Sequence, residues 1–221
     1  MTSINQEQAR FNMVEQQVRT WDVLDARVLS VLHETPREQF VPHAYNTLAY
    51  ADTEIKIGHG QTIEKPLICA RLLQELNVKE DETVLEIGTG SGYLTALLAQ
   101  LARHVYSIDK DSTFIEKAKM TLAALDINNV TFSTTDAIKG NIENGPFDAI
   151  ACTASFPEQV PQNLLEKIKV GGRMFAVIGQ APIMEATLIT RTSENKWQTK
   201  ALFETETTAI DGLKATPKFT L

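Results

Sequence analysis

The chain has 221 residues, 43% of them hydrophobic and 22% charged, which suits one elaborated domain with a substantial core. Its net charge of −7 argues against a nucleic-acid binder driven by phosphate neutralisation, which needs a basic face. No apolar run approaches the ~20 residues of a spanning helix, and the polar opening MTSINQEQARFNMVEQQVRT lacks the apolar stretch of a secretory leader, so a cytoplasmic protein away from membranes is expected.

From the amino terminus, Ala9, Met13, Val14 and Val18 form one apolar stripe at helical spacing, and Val23, Leu24, Val28, Leu29 and Leu32 form another. Both predict a helical cap over the first 60 or so residues. Thr35-Pro36-Arg37-Glu38 has the pattern of a capping box with proline at the first helical position, so a short helix is expected after it. Pro66 then opens a helix through LICARLLQELNV. Beyond it, apolar β-branched segments alternate with helical stretches: TVLEI (83–87), HVYSI (104–108), NVTFST (129–134), FDAIACT (147–153) and RMFAVIG (173–179). Their starts lie 18 to 26 residues apart, room for a strand and a crossover helix each time. Near-continuous apolar strands predict a parallel sheet covered on both faces. Asp111 or Thr113, with Glu116, is expected to cap the helix FIEKAKMTLAALDI. ATLITR and WQTKALF, flanking Thr192-Ser193-Glu194-Asn195, read as a hairpin. The expected fold is α/β: a doubly wound, Rossmann-like sheet with an antiparallel C-terminal edge and an N-terminal helical cap. Cys69 and Cys152 match no metal or redox spacing and read as buried reduced thiols; Trp21 and Trp197 read as packing residues, and no metal cluster is expected.

The main chemical signal is Leu85-Glu86-Ile87-Gly88-Thr89-Gly90-Ser91-Gly92-Tyr93, a buried strand running into a glycine loop and then a helix near Leu94. Glycines there let the backbone turn sharply and approach a ligand closely, with helix N–H groups facing it. A dinucleotide fingerprint starting at Gly88 would need glycine or alanine where Tyr93 stands, and no Gly-Lys-Ser/Thr follows for a P-loop. Between Val84 and Ala99 the one charged residue is Glu86. A site without a base, closed by carboxylates, suits a cationic ligand without phosphate, such as S-adenosylmethionine. Asp109 ends the next strand, 21 residues after Gly88, where it can accept ribose hydroxyls. Asp136 follows the third strand and could accept from an adenine amino group. Thr153, at the end of FDAIACT, is expected to line the same pocket, and His59 in Gly58-His59-Gly60 to reach the acceptor.

These residues resemble the protein-L-isoaspartate (D-aspartate) O-methyltransferases. So do Gln17-Val18-Arg19, Asp25-Ala26-Arg27-Val28-Leu29, Pro36-Arg37-Glu38-Gln39-Phe40-Val41-Pro42, Ile57-Gly58-His59-Gly60-Gln61-Thr62-Ile63 and Gly171-Gly172-Arg173, across roughly residues 10 to 180. The resemblance implies a class I methyltransferase that binds S-adenosylmethionine and releases S-adenosyl-L-homocysteine. Thr62 and Ile63 would lie beside the cofactor, with Glu86, Gly88, Thr89, Gly90, Ser91 and Gly92 around its methionine end. Asp109 and Lys110 would lie at the ribose, and Asp136 with Ala137 at the adenine. It further implies methylation of the free carboxylate of isoaspartyl residues in a protein or peptide, with no nucleic-acid or membrane partner. Residues 1–65 would form the cap and acceptor-side loop, 66–180 the cofactor-binding core and 181–221 the closing strands.

Two departures mark the acceptor side. The family has a serine after its Gln-Thr-Ile run, and here that position is Glu64. A carboxylate ~4 Å from the acceptor carboxylate would repel it by about 4 kcal/mol, roughly a thousandfold in binding, unless Glu64 swings outward, pairs with Lys65 or is protonated. The tail stretch Phe203–Ile210 carries Glu204 and Glu206 where the family is basic and apolar. Glu64 and His59 are therefore the candidate catalytic residues. The alternatives are a different, non-anionic acceptor (a small molecule among them), served by Glu64 as base, or a protein that binds S-adenosylmethionine without this activity. Oligomeric state is left open.

Overall fold

A computed structural model describes residues 3–213; the ends of the expected cap (1–2) and of the expected closing strands (214–221) lie outside the described residues. The chain starts with α1 (Ser3–Asn12), which passes into a π-helical segment, Met13–Val18, and a 3-10 turn, Arg19–Trp21. Met13, Val14 and Val18 are buried, so the predicted stripe does face the core although the helix carrying it changes pitch. Asp25 caps α2 (Ala26–Glu34) by accepting from the Arg27 N–H.

The expected capping box does not form. Residues Arg37–Gln39 make only a 3-10 turn without a side-chain cap, and Thr35 instead accepts a hydrogen bond from Gln100. The cause is Arg37, which turns inward and is fully buried. Its Nε and Nη2 donate to the main-chain oxygens of Ala49 and Glu64, and its guanidinium lies over the Tyr93 ring, 4.7 Å from the centroid. Tyr93, which opens the helix after the glycine loop, thus ties the cap to the core, a packing reason for a residue whose letter alone serves to exclude a dinucleotide site.

A short antiparallel pair, β1 (Ile55–Gly58) and β2 (Gln61–Ile63), leads to α3 (Pro66–Leu76), which has proline in its first turn as expected. The main sheet comprises β3 (Thr83–Ile87), β4 (His104–Asp109), β5 (Val130–Thr134), β6 (Phe147–Phe156), β7 (Ile168–Gln180), β8 (Ile183–Ser193) and β9 (Lys196–Glu204). Its order is β5-β4-β3-β6-β7-β8-β9. The first five of these are parallel, and β8 and β9 are the antiparallel edge. The last hairpin turns on Glu194-Asn195 alone, tighter than the four-residue turn predicted. Helices α4 (Tyr93–Leu101), α5 (Ser112–Ala124, capped by Asp111) and the short α6 (Gln162–Leu165) complete the crossovers.

Strand alternation divides the core between the two sheet faces. Val84, Val105, Ala149 and Ala151 pack with Leu72, Leu97 and the N-terminal cap. Leu85, Ile87, Ile108, Ile150 and Cys152 pack on the other face with Phe147 and Leu164. Covering both faces is what makes these strands apolar throughout. Cys69 and Cys152 are free and buried, and burial pushes both thiols up to about 12. Trp197 packs as expected and donates to the Leu165 carbonyl, whereas Trp21 is largely exposed. Among the described residues no helix is long and apolar enough to cross a membrane, and no group of acids, histidines or cysteines could hold a metal.

Candidate functional site

The strand order reverses between β3 and β6, and the crevice outside their carboxyl ends is where ligands bind in such sheets. The glycine loop after β3 is pinned there by the main chain of β4, with the Gly88 and Thr89 N–H groups donating to the Ile108 carbonyl, and it closes on itself through the Gly92 N–H, which donates to the Thr89 carbonyl. Gly88 has φ +94° and nothing within 4 Å of where a Cβ would stand, so the missing side chain leaves room for a ligand. Gly92, at φ +83°, is required by packing: a Cβ would lie 2.8 Å from Cβ of Ala118 on α5.

Asp109 holds this loop. Its Oδ2 accepts from the Gly90 N–H at 3.0 Å and its Oδ1 from the Asp111 N–H at 2.9 Å. Asp136 is held in the same manner, its Oδ1 accepting from the Ile138 and Lys139 N–H groups, which lower its pKa. Both acids line a slot with Gly88, Lys110, Ala137 and Ala154. Lys110 is the one ammonium against three carboxylates in that lining; it is paired with Asp211, which raises its pKa.

Glu86 lies beneath the slot rather than in its wall. It is 1% exposed, and its Oε2 accepts from Thr95 and Ser107. Ser107 in turn lies 2.6 Å from the buried Thr89 hydroxyl. Thr89 therefore carries the network up into the glycine loop and does not face the slot. Burial raises Glu86 to about 8, so it is a neutral carboxyl near pH 7 and not the anion its position in the sequence suggests. Ser91 accepts from the Tyr93 N–H at the start of α4. From the Gln61-Thr62-Ile63 run, Gln61 lines the slot, while Ile63 is buried in the core and Thr62 pairs with Lys56. From β6 the lining residue is Ala154 and not Thr153, because Ala154 shares the sheet face of Ile150 and Cys152 and Thr153 alternates away from it. His59 stands at φ +50° at the hairpin tip and bonds Asp111, whose pKa it lowers to about 2. It joins the hairpin to the cap of α5, away from Glu64.

The stretch 208–211 forms the far wall of the slot, a role that sequence reading missed. Ser155 accepts from the Ile210 N–H and donates its own N–H to Thr208, and Thr208, Ala209, Ile210 and Asp211 all line the slot. On the other side of Thr208 opens a second cleft of about 470 Å³, lined by Thr53, Glu54, Lys65, Glu206, Thr207 and Thr208. Glu64 stands behind it. It is 8% exposed, with Oε1 accepting from the Lys65 main-chain N–H at 2.9 Å and Oε2 lying 3.2 Å from the Thr207 hydroxyl. Of the three escapes from repulsion that the sequence allows, the structure excludes the outward swing and replaces a side-chain pair with a main-chain bond. Burial, reinforced by Glu54, raises Glu64 to about 7, which leaves protonation.

The slot fits the S-adenosylmethionine that the sequence implies: acids held by main-chain N–H groups, a bare glycine wall and one base already paired suit a cationic nucleoside. Together with the sheet order, this is a methyltransferase of the Rossmann-like class I type. The family profile described as protein-L-isoaspartate(D-aspartate) O-methyltransferase matches residues 8–210. The protein-L-isoaspartate O-methyltransferase of Syntrophus aciditrophicus is 41% identical over 186 residues, 84% of this chain and 85% of that one. That of Vibrio campbellii is 46% identical over 158 residues, 72% of this chain and 76% of that one. A crystal structure from Plasmodium falciparum, described as a protein-L-isoaspartate O-methyltransferase in complex with S-adenosyl-L-homocysteine, shares the fold with a TM-score of 0.79 at 21% identity, over 93% of this chain and 98% of that one. The chain belongs to the protein-L-isoaspartate(D-aspartate) O-methyltransferase family.

Proposed function

We propose that this chain methylates the free carboxylate of isoaspartyl residues in peptides and proteins, with S-adenosylmethionine as methyl donor. The observation that carries the reading is the shared wall: the nucleoside slot and the 470 Å³ cleft meet at Thr208, beside Glu64, which follows the Gln61-Thr62-Ile63 run. S-adenosylmethionine supplies an electrophilic methyl carbon on sulfur. An isoaspartyl carboxylate is ionised at neutral pH and needs no base, so the work of the chain is orientation. Asp109 would accept the ribose hydroxyls and Asp136, beside Ala137, the adenine amino group. Glu86, Thr89 and Ser107 would keep the glycine loop in shape from below. Residues 1–65 would carry the acceptor-side hairpin, 66–180 the nucleoside site and 181–213 the shared wall. Acidic lining disfavours nucleic acid as partner, and two unpaired thiols suit a reducing, cytoplasmic setting.

The test is incubation of the protein with methyl-labelled S-adenosylmethionine and matched isoaspartyl and aspartyl peptides, scoring base-labile methyl ester. Label is expected on the isoaspartyl peptide alone. No ester at any pH between 5.5 and 8.5 would refute the reading. Glu54 and Glu206 in the cleft favour a second reading, an uncharged or cationic acceptor, for which label would appear on an amine or hydroxyl in an alkali-stable form.

A further inference from the structure

We propose that Glu64 and Thr207 form a hydrogen-bond relay in which one proton on Glu64 decides whether the cleft wall offers a donor or an acceptor, and so whether it admits an anionic acceptor. This rests on the function proposed above and names the device that sets its specificity.

The geometry leaves one arrangement for each protonation state. Glu64 Oε1 already accepts from the Lys65 main-chain N–H, so a carboxyl proton belongs on Oε2. Oε2 faces the Thr207 hydroxyl at 3.2 Å, and Thr207 lines the cleft. A hydroxyl has one proton to give and two lone pairs to offer. When Glu64 is neutral, its Oε2–H donates to Thr207 Oγ1, and the Thr207 O–H is released toward the cleft, where it can donate to a carboxylate. When Glu64 is ionised, the Thr207 O–H donates back to Oε2 and only lone pairs face the cleft. Negative charge and lost donor then act together against an anionic acceptor. Thr207 is held for this role by its own N–H, which donates to Met184 Sδ at 3.4 Å.

The charged and titratable groups around Glu64 come from four elements. Glu54 precedes β1 and raises the cost of ionising Glu64, while Lys65, at the start of α3, lowers it. Cys69 on α3 is buried nearby and stays a neutral thiol. Arg37, from the 3-10 turn, gives its Nη2 to the Glu64 main-chain oxygen at 2.7 Å, not to the carboxyl. Glu206 shares the cleft from the C-terminal stretch. Burial is the largest influence, and the balance puts the transition at about 7. A neutral Glu64 with Thr207 thus supplies the donor that the resemblance expects from a serine.

The experiment measures binding of an isoaspartyl peptide to the protein with S-adenosyl-L-homocysteine present, and KM and kcat for its methylation, from pH 6 to 8.5. The acceptor carboxylate stays ionised throughout this range. Wild type should lose affinity by about thirtyfold across it, following the neutral fraction of a group titrating near 7, with the change in KM and little in kcat. Glu64→Gln, which cannot ionise, should flatten the profile. Thr207→Val should weaken binding at pH 6 by about tenfold with S-adenosyl-L-homocysteine affinity unchanged, and Thr207→Ser should restore it. A flat wild-type profile overturns the relay. So does a Thr207→Val variant that matches wild type at pH 6 and keeps the full swing, or peptide that fails to bind at pH 6. Peptide that binds with the expected profile but is never methylated overturns the proposed reaction and leaves the relay standing.

Discussion

At the amino end of the parallel sheet, Arg173 grips Glu82 through two N–H···O contacts and also donates to the carbonyls of Leu76 and Asn77. Lys169 pairs with Asp148 at 2.7 Å, and Asp148 also accepts from the N–H and hydroxyl of Thr83. At the carboxyl end, Asp109 and Asp136 are held by main-chain N–H groups, while Glu86 and Glu64 are buried and lean on hydroxyls and one main-chain N–H. Opposite charges close on each other at one end; at the other, Lys110 pairs with Asp211, but these four acids are held by N–H groups and hydroxyls, with no salt bridge to any of them among the described residues. The first arrangement serves stability, and in the second Asp109 and Asp136 keep charge and lone pairs for a ligand.

Substitutions at the two ends should therefore separate stability from binding. Arg173→Ala leaves Glu82 and the carbonyls of Leu76, Asn77 and Asp148 without their partner in a mostly buried setting, and should cost about 3 kcal/mol in urea unfolding while S-adenosyl-L-homocysteine affinity by calorimetry stays within a few-fold. A large affinity loss there would break the division. Asp109→Ala should do the reverse, with affinity falling about a hundredfold from lost charged hydrogen bonds and a released Gly90, and a smaller stability change. Glu86→Gln sharpens the contrast through pH. The folded state keeps the Glu86 proton up to about 8 whereas the unfolded chain releases it near its ordinary 4.5, so the stability it contributes is complete below that lower value and drains as pH rises to about 8. Between pH 6 and 8 wild type should lose on the order of 2 kcal/mol that Glu86→Gln retains, read by urea unfolding without ligand. His59→Ala should do least. It removes an exposed partner of Asp111, and peptide KM should stay within twofold; a rise of tenfold would return His59 to the acceptor site.

Much of the fold could be read from the chain because apolar content and period agree. Five segments with β-branched, near-continuous apolar runs became five parallel strands, and Gly88 to Gly92 turned where glycine was needed. The misses have local causes. Thr35-Pro36-Arg37-Glu38 carries the letters of a capping box, but the inward turn of Arg37 toward Ala49, Glu64 and Tyr93 depends on residues far along the chain. Ala154 rather than Thr153 meets the slot because it shares the face of Ile150 and Cys152, an alternation that FDAIACT itself carries. Glu86 reads as an anion from its letter, and only burial among Thr95 and Ser107 makes it neutral. Glu64, followed by Lys65 and Pro66, carries no sign of burial in its neighbours, and Thr207, 143 positions later, is what gives it a side-chain partner.

Thr208 is one residue with two faces, bordering the nucleoside slot on one side and the acceptor cleft on the other. Among the described residues, Thr208 is shared by both linings. Any displacement of that peptide unit by an occupant of one space changes the dimensions of its neighbour. Linkage then imposes reciprocity: by whatever factor the nucleoside alters the affinity of the peptide, the peptide alters that of the nucleoside equally.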